Sequence, residues 1–181
     1  MTVYDERNLS GDNDNAQMRD KVWNMIKDIR ICTMVTQCHD GQMCARPMAA
    51  RQDDFKGTLW FFTKAGSKKV QQIQSNEHVL LAYAEPNSQE YVNLSGTADI
   101  IHDRNRIHAL WTETMRAWFP DGPDTPEIAL IRVIPESAEY WDAASGLFVQ
   151  AFGFVRALMG GRSLGESMPR YLGEHASFRL Q

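Results

Sequence analysis

Short β-rich runs separated by tight turns constrain this chain more than any other feature. Ile31 to Gln37 is rich in β-branched residues, and His39-Asp40-Gly41-Gln42 follows it. Asp-Gly at that point predicts a hairpin, because glycine tolerates the positive φ that such turns require. Gln42 to Arg51 is then the returning strand. Thr58 to Thr63 (TLWFFT), Val79 to Ala84 and Glu90 to Ile101 read as further strands, the last two parted by Pro86-Asn87-Ser88. Ile128 to Pro135 and Ala138 to Trp141 add two more. Connections this short join antiparallel neighbours. Closing such a sheet removes its edges. The expected fold is therefore mainly β: a closed or partly closed barrel of six to seven antiparallel strands with peripheral helices.

Helical spacing occurs in separate places. Met18, Val22, Trp23, Met25, Ile26 and Ile29 recur on one face between Ala16 and Ile29. Gly66-Ser67 opens a short helix through Ile73. Asp103 to Phe119 predicts one amphipathic helix with Ile107, Leu110, Trp111, Met115 and Trp118 on one side, ended by Pro120 to Pro126. Gly146 to Met159 predicts a last helix. The expected organisation is an acidic flexible arm over 1–14, one domain over 15–160 and a loose C-terminal tail over 161–181. There is no regular βαβ alternation and no GxGxxG fingerprint.

Composition excludes several classes. A net charge of -4 argues against broad nucleic-acid binding, which needs a positive surface. No apolar run reaches the 18 residues of a membrane helix, and the polar N-terminus lacks a signal-peptide core. A cytoplasmic location is the expectation. Cys32, Cys38 and Cys44 are spaced six and six, which fits neither CxxC nor a zinc ribbon, so three reduced thiols are expected. The five histidines include no HExxH and no i, i+4 pair, and no metal site is expected.

The segment richest in chemistry is Phe61-Phe62-Thr63-Lys64-Ala65-Gly66-Ser67-Lys68-Lys69. A strand runs through a small-residue turn into a helix, whose first N–H groups lack intrahelical acceptors. Ser67 adds a hydroxyl, and Lys68 or Lys69 an ammonium, which together suit a phosphate monoester. The alternative is a solvated lysine turn with Ser67 as an N-cap. A second basic feature, Arg46-Pro47-Met48, lies inside an otherwise apolar strand pattern. A guanidinium there needs a carboxylate, phosphate or carbonyl partner. Pro47 lacks an N–H, which predicts an edge strand or a bulge.

These pieces carry a resemblance. The hairpin ending in ARPM, FFTKAGSKKVQQI, VLLAYA, YVNLSGTADI and EYWDA, in that order, resemble the FMN-binding split β-barrel family related to pyridoxamine 5'-phosphate oxidase. Within it the chain is most similar to the general stress protein branch. The resemblance implies FMN as cofactor and a homodimer with two sites at its interface. It implies that Arg46, Pro47 and Met48 line the flavin and its phosphate. Phe62 and Thr63 match the pair beside the ring and ribityl chain, and Ser67, Lys68 and Lys69 match the phosphate turn. Tyr91 matches a flavin-contacting glutamine, and Trp141 a tryptophan reaching the flavin from the other subunit.

The oxidase's substrate-phosphate positions become Arg51, Ala109, Glu113 and Ala117 here, and its C-terminal Arg-Leu-His is absent. A carboxylate repels a phosphate. Arg51 keeps the charge of the lysine it replaces, but the other departures argue against pyridoxamine phosphate oxidase activity, and the resemblance implies a stress-related oxidoreductase acting on an unidentified small molecule. The alternatives are a non-catalytic flavin store or sensor, and a barrel that takes haem or F420.

Overall fold

The computed structural model describes residues 19–51, 56–142 and 174–179. Helix α1 spans residues 19–26. The strands are β1 (Ile31–Gln37), β2 (Met43–Ala49), β3 (Leu59–Lys64), β4 (His78–Glu85), β5 (Glu90–Ile101), β6 (Ile128–Asp142) and β7 (Glu174–Arg179). Helices α2 (Lys68–Ser75) and α3 (Arg104–Leu110) lie between them. Every named pairing is antiparallel, in the order β2-β1-β4-β5-β6-β3, with β7 added to β6.

The sheet curls until its two ends nearly meet. Ala50 bridges Phe61, and the Arg51 N–H donates to the Trp60 carbonyl at 2.9 Å. No ladder joins the rest of β2 to β3 among the described residues, so the barrel is split along that line. The expected mainly-β split barrel is the fold observed. β2 is an edge strand, which accommodates Pro47.

Period-two alternation builds the core. Cys32, Met34, Met48, Leu59, Phe61, Leu81, Tyr83, Leu94 and Tyr140 are buried together inside the curl. Val22 and Ile26 of α1 join this cluster, as does Ile73 of α2. A second cluster lies under α3, where Phe62, Ile107, Met115, Phe119, Ile128 and Leu130 pack together.

Four expectations change. The 103–119 helix is two pieces: α3 ends at Leu110 and a 3-10 turn covers Glu113–Ala117. Trp111 and Thr112 between them are extended, at ψ 139° and 150°. Trp111 instead sets its ring edge-on to Phe62, with centroids 6.0 Å apart. The break turns Trp118 outward and buries Phe119 in its place. Asp103 caps α3 by accepting from the Asn105 and Arg106 N–H groups.

The two expected strands over 128–141 are one strand, β6, with a bulge opposite Ser95/Gly96, where Pro135 pairs with Gly96, Ser137 with Ser95, and Glu136 is the extra residue. Gly96 is required there, because a Cβ would lie 2.2 Å from the Ile134 carbonyl oxygen. Residues 174–179, inside the expected loose tail, pair with β6. Finally, Cys38 and Cys44 are joined as a disulfide rather than kept as thiols. Folding the hairpin back brings their Cα atoms to 5.9 Å, within the bonding range. Cys32 stays free and buried, and burial pushes its thiol up to about 12. The expected arm at 1–14 and helix at 146–159 lie outside the described residues.

Candidate functional site

Near α2, the inward positions of the barrel turn polar. The alternation of β1 that buries Cys32 and Met34 also buries Thr36. On β2, Arg46 shares a face with the buried Met48. Gln72 of α2, only 7% exposed, lies over both.

The Arg46 guanidinium donates to Thr36 Oγ1 at 2.7 Å, to the Met34 carbonyl at 3.3 Å and to Gln72 Oε1 at 2.7 Å. The Thr36 hydroxyl donates in turn to Gln72 Oε1 at 2.7 Å. The remaining donor of Gln72, Nε2, points to Cys38 Sγ at 3.0 Å.

On the other side of the split, Thr63 Oγ1 lies 3.2 Å from Ser67 Oγ and accepts from Lys69 Nζ at 3.3 Å. Ser67 occupies the N-cap position of α2, yet its hydroxyl makes no capping bond. It is turned toward Thr63 and stays available to a ligand.

The electrostatics point to an anion. Lys69 is held below its ordinary range, first by partial burial and second by the charge of Arg46. Burial also lowers Arg46. Among the described residues neither cation has a carboxylate partner. Two like charges drawn partly out of water are costly without a counter-charge. An anion between them removes that cost, and Ser67, Thr63 and the first N–H groups of α2 can donate to it. This donor set fits a phosphate monoester.

The ten residues singled out from sequence do not converge. Arg46, Thr63, Ser67 and Lys69 come together. Lys68, the first residue of α2, is exposed and makes no hydrogen bond to the cluster among the described residues. Pro47 is exposed on the edge strand, and the Met48 and Phe62 side chains pack into the two cores. Tyr91 and Trp141 are a cross-strand pair on the outer surface, 40% and 38% exposed. Along β4, Arg46 is level with Leu81 through Met34, and Tyr91 with Ala84. Three residues separate those levels, roughly 10 Å of strand, and the two side chains face opposite sides of the sheet.

Sequence reasoning missed Thr36 and Gln72. Their one signal is a polar residue at a buried step of an apolar period. Arg51 falls at the α1 end, where it lines a cavity of about 760 Å³ with Trp23, Tyr83, Ala109 and Trp111. Its Nε is buried and has no hydrogen-bond partner among the described residues. Glu113 is exposed and ion-paired with Arg116 at 2.6 Å.

A curled antiparallel sheet, split between β2 and β3 with a basic polar cluster at the split, defines a split-barrel protein. Residues 17–165 match the family described as pyridoxamine 5'-phosphate oxidase like, and the chain belongs to that family. The chain is 29% identical over 109 residues to protein bli-3 of Neurospora crassa, covering 55% of this chain and 52% of that protein. It thus spans about half the length of that relative. It is 25% identical to general stress protein 26 of Bacillus subtilis over 70% of this chain and 89% of that one.

Among solved structures, a candidate general stress protein 26 from Jannaschia sp. CCS1 superimposes with a TM-score of 0.68. The match is 22% identical and covers 91% of this chain and 99% of the other. The general stress FMN/FAD binding protein of Xanthomonas citri gives 0.61 at 26% identity, over 70% of this chain and 89% of that one. The chain is a homologue of general stress protein 26 in sequence and structure.

Proposed function

We propose that this protein binds FMN and acts as a flavin-dependent oxidoreductase on a small molecule. The observation that carries the reading is the pair Arg46 and Lys69, close enough to interact and, among the described residues, lacking a carboxylate partner. In this reading Arg46, Ser67 and Lys69 hold the flavin phosphate, and Thr63 orients Lys69 and Ser67. The β2 edge at Pro47 and Met48 supplies backbone groups along the split. Bound flavin supplies hydride or electron transfer, and the protein supplies orientation and electrostatics. The family relationship and the FMN/FAD binding relative from Xanthomonas citri support the choice of flavin.

Pyridoxamine phosphate is not the substrate in this reading, because Ala109, Glu113 and Ala117 offer no cation at the positions that would grip its phosphate. Tyr91 and Trp141 face the outer surface of their own chain, on the other side of the sheet from Arg46. We assign them to the site of a second copy across a two-fold axis, where the same patch serves both protomers. Light scattering then gives about 41 kDa, twice the chain mass. A monomer at micromolar concentration removes that role.

The deciding experiment is a titration of the protein with FMN, riboflavin and FAD, read by flavin fluorescence. FMN binding much tighter than riboflavin is the expected result. Equal affinities, or none, would remove the phosphate site. Turnover with NADH or NADPH then separates an oxidoreductase from a flavin store.

A further inference from the structure

Among the described residues, Gln72 is the buried polar side chain that hydrogen-bonds both the basic cluster and the hairpin disulfide. Its Oε1 accepts from two donors, Arg46 and Thr36, each at 2.7 Å. Those donors fix the amide orientation, since turning it over would set its NH2 against the guanidinium. Nε2 must then face Cys38 Sγ, at 3.0 Å. In a disulfide that sulfur carries no proton and can only accept. In a thiol it also carries a proton and can donate, so the amide that holds Arg46 no longer faces a pure acceptor. The bond to Cys44 also ties the turn to β2 two residues from Arg46. Both cysteines are half-buried, within reach of a small thiol.

We propose that Gln72 is the positioning residue for Arg46, and that the Cys38–Cys44 pair sets how well it does so. The disulfide state holds Arg46 for phosphate binding, and the dithiol state loosens it. The exchange is a balanced two-electron step. The two thiols lose two electrons and two protons, and a low-molecular-weight disulfide oxidant takes them up to become two thiols. A dithiol reductant runs the step in reverse. The inference rests on the reading of Arg46 and Lys69 as the FMN phosphate site.

By reciprocity, whatever factor the disulfide adds to FMN affinity, FMN adds to disulfide stability. The test uses the full chain, with the redox state verified by thiol labelling and mass spectrometry. FMN and riboflavin are titrated into the oxidised and reduced protein, and into Cys38→Ser/Cys44→Ser and Gln72→Leu. Reduction is expected to weaken FMN about three- to tenfold, a change of about 0.7–1.4 kcal/mol, while riboflavin shifts much less. Cys38→Ser/Cys44→Ser should show no response to reductant. Gln72→Leu should lower the FMN-to-riboflavin affinity ratio and lose the redox response. A merely structural role would weaken both flavins together.

Equal FMN affinity in the two redox states of the unmodified protein overturns the coupling and leaves the phosphate site standing. FMN no tighter than riboflavin in either state overturns the phosphate site and the coupling with it. The measurement on the unmodified protein decides the matter even if a variant fails to fold.

Discussion

The two ends of the barrel use one strand pattern for opposite purposes. At the α1 end, Val22 and Ile26 close the curl with apolar contacts. At the α2 end the same inward register presents Thr36, Arg46 and Thr63, and Gln72 lies over them. The β1–β2 ladder runs unbroken from Ile31 opposite Ala49 to Gln37 opposite Met43. The difference lies in which side chains occupy inward positions. A site built this way costs the fold little topology. It does cost the partial burial of two like charges, Arg46 and Lys69.

That contrast is broken most directly at the apolar end. Ile26 is 3% exposed, and Ile26→Ala should cost about 2–5 kcal/mol through lost contacts and a cavity. Urea unfolding measures this, with FMN affinity below the transition left within about twofold. A large loss of FMN affinity in this variant would mean that the two ends are coupled and the contrast is false.

Arg46→Met addresses the polar end. Losing charge-assisted contacts to a phosphate costs about 1.5–3 kcal/mol, a factor of about 10–100 in FMN affinity. Stability should change by about 1 kcal/mol or less, because Gln72 Oε1 keeps its bond from Thr36. The same FMN titration and an unfolding curve separate the two effects. An unfolded Arg46→Met would make the cluster a structural buttress instead of a site. The paired change Ser67→Ala with Lys69→Ala should weaken FMN more than tenfold and leave Arg46 in place.

The curled β architecture was legible because its signals are local. Asp40-Gly41 marks the first hairpin, and Val92, Leu94, Gly96 and Ala98 of β5 are buried at alternate positions. What was missed is non-local. The bulge at Gly96 that makes β6 continuous depends on a partner strand far along the chain. The break at Trp111 depends on the ring of Phe62. The Cys38–Cys44 bond depends on register across the turn, which residue spacing alone does not fix. The site divides the same way. Ser67 and Lys69 announce themselves in one turn, whereas Gln72 reads as an ordinary helix residue until α2 is laid over β1 and β2.

The smallest effect is also the sharpest test of what the polar end costs. Lys69 is depressed by burial and by Arg46, so the folded, ligand-free protein binds its proton less tightly than the unfolded chain does. The unfolded state therefore holds more protons between the folded value and the ordinary 10.5, and across that window stability rises with pH. Below it the penalty is fully present. Lys69→Met removes the penalty, so at pH 7 the ligand-free variant should be slightly more stable than the parent. The gain should be about 0.5 kcal/mol or less, since the ammonium is only half-buried and water screens the rest. The difference between the two proteins should then shrink as pH rises through the window, which cancels the titration of every other lysine and tyrosine. The same variant should bind FMN more weakly. Stability gained and ligand lost in one substitution is the signature of a charge kept for binding. A Lys69→Met protein less stable than its parent at pH 7 would show that the bond to Thr63 outweighs the burial cost, and that the two ends differ less than their side chains suggest.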